Sequence, residues 1–317
     1  MYTTSALEDL AVYEQLVKAL QLGRAAPENR DRVTGQVAPQ IVQLAGDDPD
    51  ALVRTAKTLA PYADGIDLNL GCPQRRAKDN HYGGYLLSRK DWPLLETIGM
   101  LLVSHAVSSM SQAVSIPITV KIRLCDHAPD TPKLAVKLAA SGAKIVTLHA
   151  RHVAIHRRRA NAAKLNFVAD IRDALDLAGL HASQPGGHCY VLSNGNVRSW
   201  IDIVKNLEQT RADGVLVGEP LLDKPQLFAP SFGTTFTGLD AMHNYLSMCE
   251  KYPLESTMPR IHQHLQYMVG AGFPPSRETR IIHDTLRASP SVQSMLQYVE
   301  SLQSVSPPSS MQFENSL

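Results

Sequence analysis

The 317-residue chain lacks paired cysteines, long apolar runs and any excess of charge. Its four cysteines, Cys72, Cys125, Cys189 and Cys249, stand far apart with no CxxC pair. That spacing supports neither a zinc site nor a disulfide framework, and it reads as a reducing, intracellular compartment. No run approaches the ~18 apolar residues of a membrane span, so no membrane partner is expected. The N-terminal stretch MYTTSALEDL carries acidic residues and no apolar centre, unlike a secretory leader. A formal net charge of +1 removes bulk basicity as the sign of a nucleic-acid partner. Any contact with RNA must come from a local patch. What is present is a 44% apolar composition, ordinary for a full core.

From residue 40 onward, short apolar runs alternate with helical patterns. Strands are predicted over Gln40–Ala45, Gly65–Leu70, Ile118–Leu124, Lys144–His149, Tyr190–Ser193 and Gly214–Gly218. Helices are predicted over Asp50–Leu59, Leu86–Met110, Pro132–Ala140, Phe167–Ala178 and Ser199–Leu207. Repeated strand-helix units with nearly continuous apolar strands imply a parallel sheet covered by helices. Polar and reactive residues fall at the C-terminal end of nearly every strand, where a β/α barrel builds its site. A doubly wound sheet would gather them at one switch point instead. The fold class is therefore read as α/β, a TIM-type barrel. Pro230, Gly233 and Gly238 mark a break, and the pattern beyond it is helical only, a small bundle. The expected division is a barrel over 1–235, a helical domain over 236–303 and a disordered Ser- and Pro-rich tail over 304–317.

The sharpest motif is Asp67-Leu68-Asn69-Leu70-Gly71-Cys72-Pro73. A strand ends in a turn, Gly71 permits unusual backbone angles, and a thiol stands at the barrel mouth, suited to proton donation or nucleophilic attack. The bland alternative is a buried thiol used as apolar filler. The following stretch, Gln74 to Leu87, mixes cations and rings with two glycines. It is either a solvated loop or an RNA-facing one, with cations for phosphate and a ring to stack on a base. Ser193-Asn194-Gly195-Asn196 and Val217-Gly218-Glu219 end two successive strands, the usual place of a phosphate cradle in barrels. Arg151 to Arg159 forms a basic run that a polyanionic substrate would explain and a solvated face would equally explain.

Asn69, Gly71, Cys72 and Pro73, then nine residues, Gly83, two residues and Leu86, resemble the signature of the tRNA-dihydrouridine synthases. The form Gln74…Ala77-Lys78…His81-Tyr82-Gly83 is similar to the eukaryotic subfamily that modifies uridines 16 and 17 of the tRNA D-loop. The resemblance runs from about residue 2 to residue 300. It implies an FMN-dependent reductase that draws electrons from NADPH (or NADH) and reduces uridine in tRNA to 5,6-dihydrouridine. Cys72 is then the proton donor to C5. Lys121 and His149 are flavin contacts, and Gln43 and Asn69 are polar partners of flavin and uracil edges. Asn194, Gly195, Asn196, Gly218 and Glu219 hold the FMN phosphate. Arg151, Arg157, Arg158 and Arg159 face tRNA, which the C-terminal helices also bind. A monomer in the cytoplasm, with the nucleus as a second compartment, completes the expectation. The charge argument for Lys121 stands without the family, since a cation near the pyrimidine end of a flavin stabilises the reduced anion. A buried ion pair at Lys121 and a core histidine at His149 remain the alternatives.

The chain departs from the family pattern in two places. The family opens its barrel with a strand carrying Ala-Pro-Met, whereas Met1 to Thr4 align with the family's second strand. The expected architecture is thus a barrel lacking its first strand. A mis-assigned start, a short isoform and a degenerate paralogue compete to explain this, and intact Cys72 and Lys121 favour the first. After His149, Ala150-Arg151-His152 stands where many members have Gly-Arg-Thr. Two other functions compete. A free-pyrimidine reductase would have no use for the basic run or the bundle, and a flavin-free tRNA-binding pseudoenzyme would bind tRNA with steep salt dependence but no flavin.

Overall fold

The computed structural model describes residues 1–31, 33–87, 95–153, 161–228, 237–253, 257–273 and 275–304. The chain divides into two units, Met1–Asn196 with Lys205–Leu216, and Val197–Val204 with Val217–Leu317.

The first unit is built on a seven-stranded parallel sheet: β1 (Tyr2–Thr3), β2 (Ile41–Ala45), β3 (Gly65–Leu70), β4 (Ile118–Leu124), β5 (Ile145–His152), β6 (Tyr190–Asn194) and β7 (Gly214–Leu216), paired in sequence order. Between the strands run α1 (Leu10–Ala25), α2 (Pro49–Leu59), the short α3 (Arg75–Asp79), α4 (Leu95–Ala113), α5 (Thr131–Ala140), α6 (Asn166–Leu177) and α7 (Trp200–Thr210). Sequential order decides the class. Right-handed crossovers all in one direction put every helix on the same side of the sheet, which then curls as a β/α barrel. A doubly wound sheet needs a reversal of order, and there is none. The edge strands β1 and β7 each pair with one neighbour among the described residues.

Alternation along the strands separates two faces. Leu44, Ile66, Leu68, Ile118, Val120, Ile122, Val146, Leu148 and Val191 face the helices and are almost fully buried in one apolar core. Each such aliphatic side chain contributes roughly 1.5–3 kcal/mol on burial. The other face carries Gln43, Asp67, Asn69, Thr119, Lys121, Arg123, Thr147, His149 and Asn194, as the registers Gln43↔Asp67, Asn69↔Lys121, Arg123↔His149 and His149↔Asn194 require. Barrel interiors are ordinarily filled by branched aliphatic side chains. This one is polar, so it is organised for binding rather than for packing.

The predicted strands match the observed ones within a few residues; the short helices α3 and Pro220–Asp223 were not anticipated, and the helix expected from Leu86 is described from Leu95. Helix α1 was not anticipated. It is capped by Asp9, whose carboxylate accepts from Ala11 N at 2.9 Å, and it buries only Leu16 and Leu20, too sparse a stripe to signal itself. The last strand ends at Leu216 rather than Gly218. Strand β5 continues to His152, past a register shift between Arg123 and Leu124.

The second unit holds α8 (Pro220–Asp223), α9 (Gly238–Lys251), α10 (Met258–Gly272), α11 (Arg277–Ala288) and α12 (Val292–Ser304). Thr237 and Asp240 form a reciprocal capping box on α9, and Ser276 caps α11. Met242, Leu246, Leu265, Met268, Ile282, Met295 and Val299 make its separate apolar core. Of the expected break over 230–238, residues 230–236 lie outside the described residues and Gly238 opens α9; of the expected tail over 304–317, Ser304 ends α12 and residues 305–317 lie outside the described residues. No helix among the described residues is long and apolar enough to cross a membrane.

Candidate active site

The site begins at the end of β3. Asp67 and Asn69 share the polar face, and the chain then turns through Gly71, Cys72 and Pro73. Asn69 Oδ1 accepts from the backbone N–H groups of Gly71 (3.0 Å) and Cys72 (2.9 Å), which closes the turn locally. Asn69 Nδ2 donates to Gln43 Oε1 at 2.8 Å and lies 3.0 Å from Met1 Sδ. Gln43 Nε2 donates to Asp67 Oδ2 at 2.7 Å, and Thr119 Oγ1 donates to Asp67 Oδ1 at 2.7 Å. Burial pushes the Asp67 carboxyl above its usual range, opposed by those two bonds and by the charge of Lys121.

Strand β4 adds two cations. Burial, then the nearby Arg123, lower the Lys121 ammonium to about 8, while Asp67 and Cys72 pull the other way. Among the described residues Lys121 makes no hydrogen bond and no salt bridge. Arg123, 8% exposed, donates from Nε to Gly71 O at 2.7 Å and from a terminal nitrogen to His152 O at 3.1 Å. It thus ties the Cys72 turn to the end of β5.

The segment after the turn folds back over it. Gly84 N donates to Cys72 O at 3.1 Å and Tyr85 Oη to Pro73 O at 2.9 Å. Gly83 holds φ +73°, and a Cβ there would meet Cys72 Cβ at 2.8 Å and Cys72 O at 3.0 Å. Cys72 is half-buried against Ala45, Ala77, Tyr82, Tyr85 and Val153. The RNA-facing reading of this loop asked for a ring to stack on a base; His81 is exposed, and neither tyrosine can serve. Tyr82 and Tyr85 are 3% and 7% exposed, because their rings pack the back of the Cys72 turn. The cations Arg75, Arg76 and Lys78 remain exposed on α3.

His149 and Arg151 follow on β5. Arg151 donates to His149 Nε2 at 2.9 Å. A guanidinium has no acceptor, so Nε2 carries the lone pair and the proton of the neutral ring is on Nδ1. Burial, then Arg123, Lys121 and Arg151, lower His149 to about 3. Arg151 also donates to Asn161 O (2.9 Å) and Asn196 Oδ1 (3.1 Å), and Asn196 bonds both N and O of Ala163. Gly195 (φ +133°) and Asn196 (φ +58°) stand in the left-handed half of backbone space, and Asn194 Nδ2 donates to Leu216 O at 2.6 Å.

The structure therefore brings Gln43, Asn69, Cys72, Lys121, His149, Arg151, Asn194, Gly195 and Asn196 to one end of the sheet. Gly218 and Glu219 fall in the second unit, where Gly218 O accepts from Leu221 N at the start of α8. Arg157, Arg158 and Arg159 lie outside the described residues. Asp67, Thr119 and Arg123 carried no assignment from sequence. Their signal was strand periodicity: each stands two residues from Asn69 or Lys121 and so on the same face. Among the described residues no group of three His, Cys, Asp or Glu side chains could hold a metal ion.

The tRNA-dihydrouridine(16/17) synthase, NAD(P)(+), of Schizosaccharomyces pombe is 30% identical over 269 residues, covering 84% of this chain and 59% of that protein. A Mus musculus protein named tRNA-dihydrouridine(16/17) synthase-like is 28% identical over 254 residues, covering 79% of this chain and 48% of its own. The chain spans about half to three fifths of the length of these relatives. The family model described as Dihydrouridine synthase (Dus) matches residues 4–283, and the chain belongs to that family.

Proposed function

We propose that this chain reduces uridine to 5,6-dihydrouridine in the D-loop of tRNA, at positions 16 and 17, with FMN as cofactor and NADPH or NADH as electron source. The observation that carries the reading is the convergence of a half-buried thiol, an ammonium with no hydrogen bond or salt bridge among the described residues and a row of polar side chains on one face of β2–β5. The residues suit the cofactor. Lys121 has no competing acceptor among the described residues, the neutral His149 imidazole retains one donor, and Gly195 and Asn196 shape the turn after β6 where a phosphate would be held. When bound, FMN supplies hydride to C6 of the pyrimidine. Lys121 offsets the negative charge of the reduced ring. Gln43 and Asn69 present carboxamide edges to the pyrimidine system. Cys72 donates the proton that C5 requires, from a turn held at both ends by hydrogen bonds. The uridine has to leave its stack to reach this face, and Arg157, Arg158 and Arg159 supply phosphate contacts that favour the splayed form. The helices of the second unit add further tRNA contacts. The work is placed in the cytoplasm and nucleus, where tRNA is processed.

The test is purification, identification of any released flavin, and measurement of dihydrouridine in tRNA. Cys72→Ala is expected to abolish product while leaving the flavin absorption band in place. Full activity in that variant would sink the assignment of Cys72. A colourless protein that still binds tRNA would favour the pseudoenzyme reading.

A further inference from the structure

Asp67 is left over by the chemistry above, yet in the chain of side chains Asp67, Gln43 and Asn69 each bond can run in one direction only. Gly71 and Cys72 present backbone N–H groups 3.0 and 2.9 Å from Asn69, so the Asn69 oxygen must stand there and its nitrogen must face Gln43. A carboxamide nitrogen only donates, so its partner at 2.8 Å is Gln43 Oε1. Gln43 Nε2 is thereby turned to position 67, where the group at 2.7 Å must accept. Asp67 accepts there, with its other oxygen held by Thr119 at 2.7 Å. The registers Gln43↔Asp67 and Asp67↔Thr119 place all of these on one face of three adjacent strands.

We infer that Asp67 is a positioning residue for Cys72: as the terminal acceptor it sets the orientation of the Gln43 and Asn69 carboxamides, and through them the turn that carries the thiol. Its consequence for turnover rests on the proton-donor reading of Cys72, whereas the placement of the thiol does not. Two substitutions separate acceptor from charge. In Asp67→Asn the side-chain oxygen still accepts from Gln43 and the charge is gone. In Asp67→Ala both are gone, Gln43 is free to turn, and Asn69 Nδ2 loses the carboxamide oxygen and keeps only Met1 Sδ.

The experiment is alkylation of the full chain with iodoacetamide, followed residue by residue by mass spectrometry, with half-buried Cys125 as internal reference. Rates are taken across the pH range to the plateau where each thiol is ionised, so that the size of the thiolate population drops out. Asp67→Ala is expected to raise the Cys72 plateau rate about fivefold, the factor that one hydrogen bond of ordinary net strength is worth. Asp67→Asn is expected to stay within about twofold of the parent, and Cys125 to stay constant in both. Gln43→Met cuts the chain at its middle, is expected to match Asp67→Ala, and decides the matter if that variant does not fold. In the tRNA assay Asp67→Ala is expected to lower kcat about 10²-fold with little change in KM, the scale of a small misplacement of a reacting group. A parent chain that reduces no uridine defeats the proposed function, and the alkylation rates then decide this inference by themselves. An unchanged Cys72 rate in both Asp67→Ala and Gln43→Met overturns it. So does Asp67→Asn behaving as Asp67→Ala, or Cys125 accelerating together with Cys72.

Discussion

Gly83→Ala is a stringent test of how the Cys72 turn is built. Gly83 holds φ +73°, and an added Cβ would lie 2.8 Å from Cys72 Cβ, 3.0 Å from Cys72 O and 3.1 Å from Cys72 N. Two of these atoms are backbone, and the turn they belong to is pinned by Asn69 and Arg123, so they cannot give way cheaply. The left-handed conformation costs a residue with a Cβ about 1–2 kcal/mol, and forced overpacking adds about 1–3 kcal/mol. Gly179 is the control, with φ +67° and nothing within 4 Å of its would-be Cβ. Gly179→Ala bears the conformational cost alone. Both substitutions remove the same freedom from the unfolded chain, so that contribution cancels in the comparison. Both positions belong to the first unit and report on the same transition. Urea unfolding followed by circular dichroism should show Gly83→Ala the more destabilised by about 1–3 kcal/mol. Equal losses, or a larger one for Gly179→Ala, would refute the claim that the turn is rigidly packed.

Two pH-linked outcomes follow from the cations of the site. His149 takes its proton near 6.5 in the unfolded chain and only at about 3 in the fold. The unfolded state therefore binds more protons in that window, and stability falls as pH drops through it. Between neutral pH and about pH 5 this group should cost roughly 2 kcal/mol, a loss absent from His149→Gln; parallel pH dependences of the two urea midpoints would contradict it. Lys121, at about 8, is charged below that value and neutral above it. Flavin affinity measured by fluorescence is expected to weaken as pH rises through that point, and to be weak and flat in Lys121→Met. A parent chain whose affinity is equally flat would remove Lys121 from the flavin site.

Short, nearly continuous apolar runs between helical patterns made six of the seven strands visible in the residues themselves, because strands of a parallel sheet are buried under helices; the alternation that gives them one aliphatic and one polar face is seen in the fold. The position of Cys72 in a turn after Gly65–Leu70 was legible locally, but its cause was not the expected one: Gly71 does not adopt a positive φ, and the Asn69 side chain closes the turn on the N–H groups of Gly71 and Cys72. Their place at the C-terminal ends of strands put Lys121 and His149 at the site, although it could not say that Lys121 would make no hydrogen bond or salt bridge among the described residues or that burial and the neighbouring cations would hold His149 neutral. Other features depended on contacts between residues distant in the chain. Arg123 reaches back 52 residues to Gly71 O and forward 29 to His152 O. Tyr82 and Tyr85 exchange an apparent role on the surface for one in packing, because the segment after Cys72 folds back and Gly83 and Gly84 let it come close. The residues alone thus determined which side chains share a face of the sheet, since that follows from alternation along each strand. Only the tertiary structure decided which of them touch, because hydrogen-bond direction and burial are set by neighbours that the chain brings together from elsewhere.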